Sequence, residues 1–172
     1  MLEDAGVSGL KLKLGYMSSD AVQSAQALLI QEQLKEVGVT VELAGGDGTA
    51  IANAMKDPDN EYDMYLGGYI MGIDPDTFSS LFENDGAYNY MHYSGYDTID
   101  QLFEEGRSEL DESARKETYA KLQAAVQDTG AFYPIISNNK ILVVNNRIQG
   151  VEDAGLVPVY TFEDTSSLKI AE

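Results

Sequence analysis

The first fifty residues change from a period of two to a helical period and back, and this order of patterns constrains the fold most. "LKLKLGYM", Leu10 to Met17, alternates apolar and polar residues, as a strand with one buried face does. A helix is predicted next, with Asp20 as its N-cap, Gln23 in the capping-box position and Gly38 at its end. "VTVELAGG" then restores the period of two. Strands joined through a helix are usually parallel with a right-handed crossover, so the pattern predicts an α/β fold.

Helical patterns return later in the chain. Thr49 to Lys56 predicts a short helix, and two longer helices begin at Asp97 and Asp111, the second of which ends at Gly130. We expect these two to form a helical hairpin against the sheet. The predicted inner faces are Ala27, Ile30, Leu34 and Val37 in the first helix of the chain, and Ile99, Leu102, Phe103, Gly106, Leu110, Tyr119, Leu122 and Val126 in the hairpin.

The remaining segments predict strands and connections. Tyr62 to Tyr69 reads as a strand, and "AFYPII" and "KILVVNN" predict two more strands joined by an "SNN" turn. Residues 85–96 are irregular, rich in Tyr, Asn and Gly, and contain the single histidine, His92; such long connections are often functional. From Gly150 to Glu172 the chain is extended and polar, which predicts a strand or arm that needs a partner.

The charge balance bears on the class of partner. The 172 residues include 29 acidic and 11 basic side chains, a formal charge of −18, which repels phosphates and anionic headgroups. We therefore expect no nucleic acid partner. The chain has no cysteine, which excludes disulfides and thiolate chemistry, and no apolar run long enough to cross a bilayer. It opens without a basic, export-like stretch, so we expect either a cytosolic protein or a piece of a longer exported chain.

The segment "YDMYLGGYIMGIDPDTF", Tyr62 to Phe78, ends in a pair of carboxylates that could serve catalysis or local structure. Asp74 and Asp76 flank Pro75, and two carboxylates with separated pKa values are what glycosidases and aspartic proteases use. No second acidic motif marks a partner for them. The simpler interpretation is that Asp74 caps a short helix that begins with Pro75. A hydrolase using Asp74 or Asp76 stays open as an alternative.

Other kinds of site have weaker support. "DPDNEYDM" begins like a calcium loop but has Tyr62 and Gly68 where that loop needs glycine and glutamate. His92 has no second histidine or cysteine for a transition-metal site, and no phosphate-binding or nucleophile motif is present. We therefore predict no metal and no cofactor. The tyrosines suit peptide or sugar binding, with Tyr119 assigned to the core and Tyr69, Tyr88, Tyr90 and Tyr93 left open. A surface interaction module without a small ligand is a further alternative.

The order of segments resembles the C-terminal half of family 5 extracellular solute-binding proteins, the peptide receptors of ABC importers. The likeness covers nearly the whole chain. It is most specific from Asp100 to Tyr119, which fits the pattern D-x-L-x-x-x-x-(R/x)-x-E-x-D-x-x-x-R-x-x-x-Y. The ending "IQGVEDAGLVPVYTFEDTSSLKI" is also similar to the family's closing segment.

The resemblance implies one lobe of a periplasmic-binding-protein type II-like fold, with a mixed sheet flanked by helices. Residues 1–149 would form the C-terminal ligand-binding lobe, and residues 150–172 the segment that returns to the first lobe. The expected partners are a small peptide, a membrane ABC permease and the missing N-terminal lobe. The expected location is the periplasm or, lipid-anchored, the outer face of the membrane, and the protein would not be an enzyme. A nickel complex, haem or a sugar is the alternative ligand within the family.

The resemblance also implies which residues face the ligand. Tyr69 falls where the family has a tryptophan, and Gly72 where it has the aspartate that binds the peptide amine; Gly48 replaces another common aromatic. Asp74 could approach the cleft in place of that aspartate or could only cap a helix. The predicted ligand-binding residues are Tyr69, Ile70, Met71, Gly72, Asp74 and Asn89.

Overall fold

The computed structural model describes residues 4–70, 72–90, 97–137, 139, 141–157 and 161–171. Within these ranges the chain forms two compact units. The first unit comprises residues 4–69 and Tyr90; the second comprises Ile70, residues 72–89 and the described residues from 97 onward. The mixed α/β class is confirmed in the elements of these units.

The first unit is built on a parallel sheet. Its elements are β1 (Lys11–Met17), α1 (Ala21–Glu36), β2 (Thr40–Gly46), α2 (Gly48–Ala54) and β3 (Met64–Tyr65). The strand order is β2-β1-β3, and β1 is parallel to both neighbours. The predicted strand–helix–strand arrangement at the start of the chain is therefore confirmed.

The core of this unit lies between α1 and the sheet. Ala27 of α1 is fully buried against Leu14 and Val41 of the strands, as the alternating and helical patterns predict. Ile30 and Leu34 pack on the edge of this core. The inner face of α1 ends at Leu34 and does not include Val37 as predicted. Val37 lies beyond the last turn of α1 and is 63% exposed.

The start of α1 is capped differently from the predicted capping box. The Asp20 carboxylate accepts hydrogen bonds from the amides of Val22 and Gln23, which confirms Asp20 as the N-cap. Gln23 is buried, and its Oε1 accepts a hydrogen bond from the Met17 amide at 2.9 Å. This glutamine thus binds the end of β1 and ties α1 to the sheet.

The predicted strand Tyr62 to Tyr69 is too long. Only Met64 and Tyr65 pair with β1, followed by a hydrogen bond from the Leu66 amide to the Gly15 carbonyl at 2.9 Å. The next two residues are Gly67 and Gly68, which weaken a strand because they bring no side chain to pack.

The second unit is organised around a helical hairpin. Its elements are a 3₁₀ helix (Pro75–Phe78), α3 (Ser79–Phe82), α4 (Asp97–Ser108), α5 (Glu112–Asp128), β4 (Ile148–Gln149), β5 (Leu156–Val157), β6 (Thr161–Phe162) and β7 (Lys169–Ile170). Phe103 and Ile99 of α4 are fully buried, and Leu122 of α5 is also buried. Leu110 is 98% exposed and its inward assignment is wrong, because α4 ends at Ser108 and Leu110 lies in the connection.

The predicted hairpin of strands after α5 is wrong. Residues 131–137, 139 and 141–147 contain no strand, and several apolar side chains there are exposed, among them Tyr133 at 85% and Val143 at 91%. These side chains have the composition of a strand, but no described strand pairs with the segment, so its backbone does not join a ladder.

The closing residues form short antiparallel pairs. β4 pairs with β7, and β5 pairs with β6. The predicted arm thus finds partners within the closing part of the chain. The boundary between residues 149 and 150 stays a prediction.

Candidate functional site

The carboxyl ends of the parallel strands mark the candidate site in the first unit. In open α/β sheets, ligands bind outside these ends, where the chain connections turn to opposite sides of a central strand. Here β1 is the central strand, β2 lies on one side and β3 on the other. The segment that leaves β3 at this edge ends in Tyr69, which is half-buried.

Two glycines leave the main chain accessible just before Tyr69. Gly67 and Gly68 are exposed, and a Cβ built on either would meet no described atom within 4 Å. Since β3 is an edge strand among the described strands, an extended ligand has access to main-chain groups here.

The same edge of the sheet has a second feature that the sequence patterns did not reveal. A Cβ built on Gly45 would lie 2.8 Å from Cζ of Tyr16, and one on Gly48 would lie 2.8 Å from Sδ of Met17. The side chains of β1 therefore fill the space that a larger residue at either position would need. Met17 takes the room beside Gly48, where the resemblance implies an aromatic, and it gives a soft, adaptable apolar surface.

In the second unit, Asp74 caps the 3₁₀ helix. Its Oδ1 accepts a hydrogen bond from the Asp76 amide at 2.8 Å, and its carbonyl accepts one from the Thr77 amide at 3.1 Å. The Thr77 hydroxyl donates to the same carbonyl. Pro75 occupies the first turn, where its missing amide costs nothing. The capping interpretation of Asp74 is confirmed. We call residues 72–78 the elbow.

The Asp74 carboxylate also has a cationic partner far along the chain. Nη2 of Arg115, in α5, lies 2.8 Å from Oδ1 and 3.0 Å from Oδ2. This hydrogen-bonded guanidinium, together with the Asp76 amide, holds the pKa of Asp74 below its ordinary value. A general acid needs a raised pKa, so the lowered pKa of Asp74 does not suit that role.

Arg107 of α4 makes a second set of ion pairs beside the elbow. Its guanidinium pairs with Glu83, and its Nε lies 3.6 Å from Oδ1 of Asp76. Burial raises the pKa of Glu83, although the positive charge of Arg107 acts to lower it. The elbow is thus bordered by one arginine from each helix of the hairpin.

Contacts within the second unit explain several residues of the motif from Asp100 to Tyr119. Asp100 accepts hydrogen bonds from the backbone amide and the side-chain amide of Asn84, at 3.0 and 2.8 Å. Asp111 caps α5 by accepting a hydrogen bond from the Ala114 amide. Tyr119 packs on Gly106 so closely that a Cβ there would lie 2.7 Å from the ring.

The other predicted binding residues are distributed as follows. Ile70 is 67% exposed and Gly72 is exposed, with Thr77 Oγ1 at 3.1 Å from where its Cβ would be. The Asn89 side chain donates to the carbonyls of Glu83 and Asn84, so it closes its own turn. Met71, and with it His92 and Tyr93, lies outside the described residues.

Two properties of the described residues bear on partners. No group of three or more His, Cys, Asp or Glu side chains in the described ranges could hold a metal ion. None of the helices in those ranges has the length and hydropathy of a membrane span.

Comparison with known proteins identifies relatives over the whole chain. The family model described as "Bacterial extracellular solute-binding proteins, family 5 Middle" matches residues 1–90, just over half of the chain. The ABC transporter substrate-binding protein CtaP from Listeria monocytogenes has a similar structure, with a TM-score of 0.89 and 37% identity over 99% of this chain. AppA from Clostridium difficile, described as a candidate peptide-binding protein, gives a TM-score of 0.86 and 31% identity over 98%.

A curated relative agrees with these structures. The peptide transport periplasmic protein SapA from Haemophilus influenzae is 25% identical over 83% of this chain. The chain spans 27% of SapA and 35% of each of the two solved relatives. It therefore corresponds to about a third of such a protein.

Proposed function

Because the chain belongs to the family 5 bacterial extracellular solute-binding proteins, we propose that it forms one lobe of a receptor that binds peptides for an ABC permease. Proteins of this family bind solutes and are not enzymes, and we extend this to the present chain. The missing N-terminal lobe would supply the other half of the binding cleft. The whole receptor would lie in the periplasm or, held by a lipid anchor, on the outer face of the membrane.

The observation that carries this proposal is the accessible main chain at the end of β3. An extended peptide can pair with exposed backbone at a sheet edge, and such pairing gives affinity without reading the peptide's side chains. Gly67 and Gly68 keep that approach open, since neither carries a Cβ. The names of SapA and of the Clostridium AppA, which refer to peptide, support the same ligand class.

We further propose which residues contact the ligand. The segment formed by Tyr69, Ile70, Met71 and Gly72 would line the cleft, with Tyr69 supplying aromatic contact area and a hydrogen-bonding tip. The Asp74 carboxylate would act indirectly, because its oxygens already serve the elbow and Arg115. The peptide amine would then be bound by the other lobe. Asn89 would keep its own turn in place.

The transport cycle follows from the two-lobe arrangement. The lobes would close over the peptide by a hinge motion, and the permease would recognise the closed form. The ligand would be enclosed only when both lobes contribute contacts. This chain alone should therefore bind peptides poorly.

A chimera tests the proposed ligand contacts. The segment of Clostridium AppA that matches this chain, 35% of that protein, would be replaced by the present sequence. Tyr69→Ala in this chimera should weaken peptide binding at least about fivefold, as expected when a central interface aromatic is truncated. Native mass spectrometry with a mixture of short peptides measures the effect.

The matched control is Tyr133→Ala, a tyrosine that is 85% exposed and outside the proposed contacts. It should leave binding unchanged. Equal loss in the two variants, or none in Tyr69→Ala, would contradict the assignment of Tyr69. If the chimera retains a metal complex or a sugar from the expression host in place of peptides, the ligand belongs to that class and not to the peptides.

A further inference from the structure

We propose that Arg115 is a positioning residue that holds the elbow, residues 72–78, against the hairpin of α4 and α5. Its importance for ligand binding rests on the proposed function, since Gly72 belongs both to the elbow and to the proposed contact segment, residues 69–72. The inference itself depends on contacts within the second unit.

The guanidinium of Arg115 connects three parts of this unit. Nε donates to the Gly106 carbonyl in α4 at 2.8 Å, while Nη2 donates to both Asp74 oxygens. The guanidinium carbon also lies 5.0 Å from the centre of the Tyr119 ring, within range of a cation–π interaction. Gly106 and Tyr119 belong to the hairpin, so they fix where the guanidinium points, and the contact to Asp74 transmits that position to the elbow.

From Asp74 the restraint continues to Gly72 through one turn. The Asp74 carbonyl accepts hydrogen bonds from the amide and the hydroxyl of Thr77. The Thr77 side chain in turn lies against Gly72, with Oγ1 at 3.1 Å from the ideal Cβ position. Holding Asp74 therefore restricts the backbone at Gly72, the last residue of the segment proposed to face the ligand.

The exposure of the pair indicates a role in position more than in stability. The side chains of Arg115 and Asp74 are 31% and 57% exposed, so water screens their attraction. Exposed ion pairs contribute little to folding. The geometry is nevertheless specific, because the planar guanidinium contacts Gly106 through Nε and Asp74 through Nη2 at the same time. A lysine at position 115 would keep the charge and lose one of the two contacts.

Hydrogen exchange on the 172-residue chain tests this inference. Arg115→Met should speed exchange at the amides of Asp76 and Thr77 by about two- to fivefold, the range expected when one exposed ion pair is lost. Exchange within α4 and α5 should not change. Lys116→Met is the matched control, because it removes an exposed positive charge from the next residue of the same helix; it should leave the elbow unaffected.

A second variant separates the ion pair from the helix cap. Asp74→Asn keeps an oxygen that can cap the 3₁₀ helix but loses the charge that attracts Arg115. It should accelerate hydrogen exchange in the elbow as Arg115→Met does. If Arg115→Met fails to fold, Asp74→Asn alone tests whether the ion pair restrains the elbow. In Arg115→Met, carbon-detected NMR should show the pKa of Asp74 moving up toward its ordinary value, whereas Lys116→Met should leave it low.

Two results would overturn the inference. One is elbow exchange in Arg115→Met and Asp74→Asn equal to that of Lys116→Met. The other is acceleration of α5 as large as that of the elbow, which would make Arg115 a general support of the hairpin. Since these measurements contain no ligand, they stand apart from the proposed function. In the chimera, a faster elbow with unchanged peptide affinity would contradict the role in ligand binding, and loss of all peptide binding in the unaltered chimera would contradict the proposed function.

Discussion

β1 and the segment from residue 131 to residue 147 are both predicted to form strands, but within the described residues only β1 does so. β1 alternates apolar residues with polar or small ones, whereas the later segment contains the apolar runs "AFYPII" and "ILVV". β1 lies between two parallel partners and buries Leu14 to 2% exposure. In the described part of the later segment no strand forms, and Val143 is 91% exposed.

The difference shows what an apolar strand pattern means. Such a pattern indicates a segment that forms a stable strand only when its apolar side chains are packed and its backbone groups are hydrogen-bonded to a partner. β1 obtains its partners from residues within about fifty positions along the chain. In the described part of the later segment, no residue pairs with a strand.

The largest predicted effect tests this contrast directly. Leu14→Ala removes side-chain atoms from the centre of the first unit and should lower the free energy of unfolding by about 2–5 kcal/mol. Val143→Ala should change it by no more than about 0.5 kcal/mol, because little contact is lost at an exposed position. Urea unfolding followed by circular dichroism measures both. A large loss in Val143→Ala would show that the segment is buried in solution.

A second prediction concerns the hairpin that precedes this segment. Gly106→Ala places a Cβ 2.7 Å from the Tyr119 ring, and the overpacking should cost about 1–3 kcal/mol. Gly67→Ala is the matched control, since its Cβ would meet no described atom within 4 Å. Equal stability of the two variants, measured by the same urea titration, would contradict the close packing of α4 and α5.

The smallest predicted effect is a pH dependence at the elbow. The pKa of Asp74 in the folded chain lies below its ordinary value of 3.8, so the native state favours the ionised carboxylate. The resulting stabilisation is fully present above about pH 5 and is lost as the pH falls through the lowered pKa. Arg115 faces Asp74 directly and Tyr119 lies beside Arg115, while Asp76, within the elbow, lies close to Arg107.

The difference in melting temperature between the unaltered chain and Asp74→Asn measures this contribution. At neutral pH it should be at most about 3 °C, as expected for an exposed pair in a chain of this size. It should shrink toward zero in acid as Asp74 becomes protonated. A difference that grows as the pH falls would reverse the sign and contradict the lowered pKa.

Local patterns predicted the elements whose causes are local. The period of two in β1, the caps at Asp20 and Asp111 and the left-handed glycines at the ends of α1 and α5 are each set by a few neighbouring residues. Gly38 and Gly130 have φ values of 82° and 65°, which is the left-handed conformation that favours glycine at a helix end.

Features that depend on distant residues could not be predicted in this way. Nothing near Asp74 marks Arg115, which lies 41 residues away, as its partner. The capping-box position of Gln23 gave no sign that its side chain would bind the Met17 amide. The arginine and tyrosine at the end of the Asp100 to Tyr119 motif were visible as a family pattern, but their contacts with Asp74 and Gly106 require the folded hairpin.

Peptide binding by the chain alone, compared with the AppA chimera, tests the proposed single-lobe receptor most directly. Both proteins would be titrated with the same short peptides in a calorimeter. We expect micromolar or tighter binding by the chimera and no micromolar binding by the 172-residue chain, because half of the proposed cleft is missing. Micromolar binding by the chain alone, or none by a folded chimera, would contradict the proposal.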